Sequence, residues 1–426
     1  MEILKSISSK KKVGIIGAGP AGLCAAVRSQ QCGHDVTVFE QTSKVGGIWV
    51  YTPEVNVHTS ITNIPKEIMQ FEGFPFSDMD NSGRSFVSSE FVLKYLKEFA
   101  KPVLSNILFC NKVVNVERHE DLWQVQVHKL DDNQNPELTT FKFDVLFVCN
   151  GHHSKPMMPE FYEKYQKPWI HSHDYRSASK FNDQTVAIIG ASFSGMDILD
   201  QLARAAKKVY LLDDKAIKFD SLLPENVLVK PRLKDATPDS LILSDDTSLS
   251  DIDTIIYCTG YVYNFPFFNS GNPLVEVLHD GKIVSKLFEH VAHVDYLNSL
   301  FFIGLHVTST FFMIEYQVRF ALALAANYTK GFDKEDVKDW EQKRLDELNM
   351  ERLPYKMFHN MGIKQFDYYR RICSYAQIPY FTTPVIEKIV HQIFELVKRK
   401  DFDFVSYKKN RYVIVNSEEF YIVEEE

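Results

Sequence analysis

The chain has 426 residues, 45% of them hydrophobic and 24% charged, with a formal net charge of −8. That length supports two domains with sizeable cores and excludes a small stapled scaffold, while net acidity disfavours a general nucleic-acid-binding surface. Six cysteines, Cys24, Cys32, Cys110, Cys149, Cys258 and Cys373, form no C-x-x-C pair, so a redox dithiol and a thiolate metal site have little support and no metal is expected.

The start, "MEILKSISSKKK", is charged and has no apolar core of the kind a secretory signal carries. The reading is a soluble, cytoplasmic protein, with secretion left open because a processed precursor would look the same. Directly afterwards, "KKVGIIGAGPAGLCAAVRSQQCGHDVTVFEQ" predicts a strand, a glycine turn, a helix and a second strand. Gly17 permits the tight turn, Gly19 leaves room for a pyrophosphate, and Gly22 lets helix and strand pack closely. Pro20 and Ala21 open the helix between them, where first-turn N–H groups face phosphate. Glu40 stands 18 residues after Gly22, at a strand end, placed to accept from an adenosine ribose. "SKVGGIWVYT" then supplies Gly47 and Trp49 in a second turn beside an extended cofactor, or simply a surface loop with one buried tryptophan.

The stretch "HTSITNIPKEIMQFEGFPF" places Thr62 and Asn63 ahead of Pro65 and several aromatics. Such a segment can cover a cavity while pointing an amide inward; a turn or helix-capping role for Asn63 is the alternative. Residues 108–116 and 123–130 read as antiparallel strands with a polar tip at "DDNQNP". "FDVLFVCNGHHSKP" ends a buried strand at Gly151. The histidine pairs around it, His152, His153, His171 and His173, lack metal-ligand spacing.

A second fingerprint follows in "DQTVAIIGASFSGMDILDQLARAAKKVYLLDD", with Gly190, Ser192, Ser194 and Gly195 in the glycine positions and their surroundings. Ser192 replaces the central glycine; its hydroxyl and that of Ser194 could donate to phosphate, or the segment could be a serine-rich helix cap. Asp213 repeats the offset of Glu40, and a carboxylate there accepts from a ribose 2′-hydroxyl and repels a 2′-phosphate. Asp214 adds to that repulsion and Lys215 opposes it. Two dinucleotide sites favour FAD as one occupant, since a flavin can take a hydride and react with oxygen.

Further along, "DIDTIIYCTGYVYNFPF" ends a strand at Gly260. "SLFFIGLHVTSTFFMIEYQVR" reads as a buried strand ending at Gly304, then a helix whose N-terminus approaches the flavin ring. His306, Glu315 and Arg319 interrupt this most apolar stretch, so no membrane span is expected. "KEDVKDWEQKRLDELN" and "FHNMGIKQFDYYRRICSYAQ" predict amphipathic helices that close the first domain or form a subunit contact, and "NSEEFYIVEEE" a solvated acidic end.

Taken in order, the two fingerprints with "SITNIPKEIMQFEGFPF", "VCNGHHSKPMMP", "HSHDY", "YCTGY" and "GLHVTSTFFMIEYQVR" resemble the flavin-containing monooxygenase family, the soluble insect members most of all. The resemblance implies an α/β fold of two Rossmann-like dinucleotide-binding domains, the smaller inserted in a discontinuous FAD domain. Its boundaries are residues 1–168, 169–289 and 290–426. It implies FAD in the first site and NADPH in the second, with NADH left open because Asp214 stands where the family commonly has arginine. The reactants it implies are molecular oxygen and a small soft nucleophile. The reaction it implies is N-oxygenation of tertiary amines, plant pyrrolizidine alkaloids among them, or S-oxygenation of sulfides, through a C4a-hydroperoxyflavin. Asn63 aligns with the family's active-site asparagine, and Tyr175 with Ser192 and Ser194 would help retain the nicotinamide cofactor. The family motif matches at His171 and Tyr175 but departs at Tyr165 and Lys167, the latter in a glycine position. A Baeyer-Villiger ketone monooxygenase, a flavin-dependent NAD(P)H oxidoreductase without oxygenation and a non-enzymatic flavoprotein scaffold are the alternatives, and a homo-oligomer stays open.

Overall fold

The computed structural model describes residues 2–7, 9–50, 61–79, 82–130, 137–216, 223–268, 271, 273–306, 310–399 and 402–424. Two parallel sheets organise the chain. In the seven-stranded sheet, Lys12–Ile16 lies between Val145–Val148 and Asp35–Phe39; Ile107–Leu108 and Leu300–Phe302 extend it on either side, all parallel. Leu287–Phe288 and Ala292–His293 complete it as an antiparallel edge hairpin. Residues 13–16 of the central strand and Val145–Val148 are unbroken buried runs because helices and the antiparallel layer cover both faces.

The five-stranded sheet is parallel throughout: Val227–Lys230, Lys208–Leu212, Thr185–Ile189, Thr254–Tyr257 and Trp169–His171. All of it falls between two strands of the first sheet, so the first domain is discontinuous and the second is inserted. The expected return near 290 lies inside the hairpin of residues 287–293; strand pairing puts Leu287 already in the first sheet. The outgoing and returning connections touch each other, Tyr261 pairing with Pro156 and Val262 with Lys155.

Asn111–His119 and Leu122–Lys129 form the expected antiparallel pair, but with a different tip. Glu120, with φ 53°, makes a two-residue turn that pairs His119 with Leu122. That register turns Trp123, Val125 and Val127 into the core. "DDNQNP", residues 131–136, lies outside the described residues, on the way to a third strand, Leu138–Phe143. The acidic end also differs from a plain solvated tail: Phe420–Glu424 pairs with Asn410–Ile414 as a hairpin, its outer face exposed.

The late apolar stretch is the strand Leu300–Phe302 and the helix Phe311–Ala325, every residue of which is buried. Its charged residues are therefore paired. Glu315 Oε1 accepts from Arg28 Nε and from Arg319 Nε, each at 2.7 Å, Arg28 Nη2 adds a bond to Oε2 at 2.9 Å, and Arg319 reaches Glu72 at 2.6 Å. Arg28 belongs to the first fingerprint helix, Pro20–Gln31, so this cluster fastens that helix to the late one. Removing one member leaves buried charge uncompensated. Glu315→Ala is expected to lower stability by about 3–5 kcal/mol, read as a lower urea midpoint; an unchanged midpoint and slope would refute the anchoring role.

Candidate functional site

At the first cradle, Gly17 has φ +100°, and a Cβ on it would stand 2.6 Å from the Cys149 carbonyl oxygen. One on Gly22 would lie 1.8 Å from the Gly17 carbonyl oxygen, so both glycines are demanded by the chain's own packing. Gly19 is different. Its Cβ would meet Gly47 Cα at 3.5 Å, an ordinary contact, so protein packing alone tolerates a side chain there. Gly47, with φ +56°, faces it, its Cβ position 3.0 Å from Gly19 Cα, so the two turns lie backbone against backbone. Gly46 N–H donates to the Ala18 carbonyl at 2.9 Å and holds the second turn in place, with Trp49 packed behind it on the core.

Pro20 begins the helix and Gly19 caps it without a side chain, leaving first-turn N–H groups for an anion. Gly304, φ +80°, comes down beside this turn, where a Cβ would be 3.5 Å from Ala21 Cβ. Its loop is fixed from behind: Gly304 N–H donates to Gln317 Oε1 and His152 Nδ1 donates to the Gly304 carbonyl, both at 3.0 Å. Residues 307–309, which join Gly304's loop to the helix capped by Thr310, lie outside the described residues. Glu40 is buried and also braces the turn, accepting from Ala18 N–H and Thr42 N–H at 2.8 Å each. Each carboxylate oxygen retains a lone pair for a ribose hydroxyl.

The second cradle repeats this stereochemistry. Gly190 has φ +102° with its Cβ position 2.8 Å from the Cys258 carbonyl oxygen, and Gly195's lies 2.0 Å from the Gly190 carbonyl oxygen. Ser192 takes the N-cap place with φ −85° and ψ −174°, against −77° and −176° for Gly19, so the serine leaves the backbone path unchanged. Its hydroxyl makes no capping bond and is exposed, and Ser194 follows half-buried in the first turn. Asp213 plays Glu40's part, accepting from Ala191 N–H at 3.0 Å and from Lys215 N–H at 2.8 Å. Lys215 is thus tied to Asp213 through its backbone. Asp214 turns to Arg232, accepting from its N–H at 2.9 Å with the guanidinium Nε at 3.5 Å.

Tyr175 stands apart from this face. Fully buried, it stacks on Phe181 in the core beneath the helix Phe193–Leu202 and gives its hydroxyl to Gln201, so it supports the cradle from below and makes no opening toward a ligand. Lys167 does not need glycine's conformational range: it is absent from the residues with positive φ, and its ammonium caps the Ser250 and Ile252 carbonyls. Tyr165 is buried against the same Ile252 carbonyl. The rings of His152 and His153 lie 4.1 Å apart, tilted by 39°, and burial lowers both, His153 to about 4, which keeps them neutral. Among the described residues no group of three or more His, Cys, Asp or Glu side chains is gathered to hold a metal.

The segment beginning at Ile61 runs antiparallel to the chain before the helix Ser89–Ala100, Ile61 bridging to Ser88. Thr62 is spent on backbone pairing, its N–H donating to the Val87 carbonyl at 2.9 Å and its hydroxyl accepting from Val87 N–H at 3.2 Å. Asn63 Oδ1 is buried and has no hydrogen-bond partner among the described residues. Asp197, from the second domain's fingerprint helix, approaches the Asn63 amide; burial raises its pKa, while Lys408 and Asn63 oppose the rise. Gln317, Asp197, Lys408 and Arg232 were missed at the level of sequence. A carboxylate inside the apolar run "SGMDIL" and polar residues inside "FFMIEYQVR" were the available signals for two of them; Lys408 and Arg232 carried none.

The flavin-binding monooxygenase-like family model matches residues 10–218 and 213–378. A flavin-containing monooxygenase of Arabidopsis thaliana, FMO GS-OX5, is 34% identical over 401 residues, covering 86% of this chain and 85% of that protein. The senecionine N-oxygenase of Tyria jacobaeae is 27% identical, over 98% of this chain and 93% of its own length. The structure of S-allyl-L-cysteine S-oxygenase from Allium sativum has a TM-score of 0.79 and 28% identity, covering 94% of this chain and 98% of its own. The Arabidopsis protein exceeds the insect one in identity, so the special likeness to insect members expected from the sequence gives way to a likeness to the wider family.

The two cradles should fail separately. Gly22→Ala is expected to yield protein without flavin absorbance near about 450 nm. Gly195→Ala should keep that absorbance but slow flavin reduction by nicotinamide roughly a hundredfold, the scale of a ~3 kcal/mol overpacking cost. Loss of the same ligand in both variants would overturn the assignment of two sites.

Proposed function

The chain belongs to the flavin-binding monooxygenase-like family and is an FAD-dependent, NAD(P)H-driven monooxygenase of heteroatom nucleophiles; we propose that FAD occupies the first cradle, NADPH the second, and that Asn63 acts in the gap between them. The observation that carries this reading is the buried, unpartnered Asn63 Oδ1 where the second domain's Asp197 meets the first domain's segment. Bound FAD supplies the redox chemistry, taking a hydride from the nicotinamide and passing reducing equivalents to oxygen. The chain's own contribution is positional. The glycine turns and uncapped helix starts hold the two pyrophosphates, and Glu40 and Asp213 receive ribose hydroxyls. Asn63 accepts a hydrogen bond from a cofactor N–H or O–H. Among the described residues no helix is long and apolar enough to cross a membrane.

NADPH is preferred to NADH in this reading because Arg232 is held beside Asp214, next to the ribose acid. A guanidinium has five donors in a planar fork, so one pairing with Asp214 leaves others for a 2′-phosphate. It restores at position 232 the cation that position 214 lacks. Arg232→Ala should cut the ratio of flavin-reduction efficiencies, NADPH over NADH, roughly tenfold, ~1.4 kcal/mol. A wild-type preference for NADH in rapid-reaction measurement would overturn the cofactor assignment.

The substrate class proposed is a tertiary amine first, a plant alkaloid being its natural form, and a sulfide second. The full-length similarity to a senecionine N-oxygenase supports the first and that to an S-allyl-L-cysteine S-oxygenase the second. A screen across tertiary amines, sulfides and cyclic ketones, read by mass spectrometry for oxygen incorporation, tests it; incorporation only into ketones would replace it with the Baeyer-Villiger reading. With an accepted substrate, Asn63→Ala should retain FAD yet lose most oxygenated product, and equal yields from mutant and wild type would remove Asn63 from the mechanism.

A further inference from the structure

The segment that carries Asn63 is covered by the end of the chain. Tyr412 N–H donates to Ser85 Oγ at 2.7 Å, and Ser85 Oγ donates to Glu67 Oε1 at 3.0 Å. The ring of Phe86 meets Tyr407 edge-on at 4.8 Å. Lys408 sits between those two tyrosines, and this docking sends its ammonium to Asp197 Oδ1 at 2.6 Å, with both side chains 11% exposed. Asp197 lies five residues after Ser192, on the helix whose first turn forms the second cradle. A buried ion pair therefore joins the turn that leads into the C-terminal hairpin to the inserted domain at the place where Asn63 arrives.

A carboxylate only accepts hydrogen bonds, so the pole of Asn63 that faces Asp197 is its NH2, and Oδ1 is the pole turned away. Asp197 Oδ2, like Asn63 Oδ1, is buried without a hydrogen-bond partner among the described residues. Burial of Asp197 disfavours its charge, and the Lys408 ammonium at 2.6 Å and the Asn63 amide both oppose that.

Resting on the proposed role of Asn63, we propose that Lys408 and Asp197 are positioning residues that fix the Asn63 amide with Oδ1 presented as an acceptor to the bound nicotinamide. Neither touches reacting atoms; both act through Asn63. Without the pair the amide can turn over and present NH2 where an acceptor is needed.

The test uses the FAD-loaded full-length enzyme with Lys408→Met, Lys408→Arg and Asp197→Asn, together with the Lys408→Met/Asp197→Asn double variant. The double variant removes both buried charges and so keeps folding intact if either single variant leaves one charge stranded. Three quantities are read: flavin content, the dissociation constant of NADP+ from the oxidised enzyme, and the fraction of oxidised NADPH recovered as product and not as peroxide. The expectation for Lys408→Met and the double variant is normal flavin content, NADP+ binding roughly tenfold weaker and a several-fold smaller product fraction. Lys408→Arg should restore both, and combining Lys408→Met with Asn63→Ala should add little to Asn63→Ala alone. If the double variant binds NADP+ and couples like wild type while Asn63→Ala does not, the positioning inference fails and the Asn63 reading stands. If Asn63→Ala is itself fully coupled, the Asn63 reading fails. Additive losses in the combined variant would show the ion pair acting independently of Asn63 and would overturn the proposal as well.

Discussion

A backbone-to-backbone approach that only glycine permits sets the layout of both halves. In each, the first fingerprint glycine packs on the carbonyl of a cysteine that ends the neighbouring strand, and the last packs on the carbonyl of the first. Strand and helix are thereby brought so close that the helix N-terminus opens at the strand edge, where an anion can be held. The same cysteines, Cys149 and Cys258, lie two residues before Gly151 and Gly260, whose φ values of 72° and 80° turn the chain into the two interdomain connections. Those connections then pair with each other. The carbonyl that shapes each cradle thus belongs to the strand from which the chain leaves its domain, so cradle geometry and the path between domains share one constraint.

Groups that fold by local rules were legible in the sequence. Gly17, Gly22, Gly190 and Gly195 are tied to their strands within a few residues, and Glu40 and Asp213 sit at a fixed offset from them; one βαβ unit determines all of these positions. Ser192 stands in the place of the central glycine, yet its backbone angles match those of Gly19 because an N-cap residue is extended and accepts a side chain. The less legible features are non-local. Arg232 reaches Asp214 across 18 positions, Lys408 reaches Asp197 across 211, and nothing in either neighbourhood reports the partner. Tyr175 was displaced from the ligand face for a related reason: motif spacing gives a position on the chain but not the direction of a side chain. The domain return moved because an edge hairpin of two-residue strands has too little periodicity to be seen before pairing.

Burial separates the ionisable groups behind the site into two kinds. One kind is neutral. His152, His290, His306 and His359 lie together behind the Gly304 loop, and burial lowers each of them, His306 to about 3. His359 Nε2 accepts from Val284 N–H at 2.9 Å, so its Nδ1 carries the proton and donates to His290 Nδ1 at 3.0 Å. The other kind is charged and matched: Arg28, Arg319, Glu315 and Glu72 under the first cradle, and Lys408 with Asp197 at the junction. The histidines contribute shape and hydrogen bonds without charge.

That division bears on how an oxygenation site can be built from two separately folded halves. A bound flavin that is to react with oxygen would be served by a dry site, and uncompensated charges would draw water in. Along the Gly304 side the problem is solved by histidines that remain neutral through the physiological range. On the Asn63 side a charge is unavoidable, because an amide that must face one way needs a strong acceptor to hold it, and the strongest one available is a carboxylate. Burying that carboxylate requires a cation, which the chain brings from its far end; the hairpin that begins two residues after Lys408 also bonds to Ser85, beside the segment. Orientation of the amide, charge balance and coverage are then met by a single contact among the FAD domain, the inserted domain and the C-terminal hairpin, so that the site is complete only when all three are together.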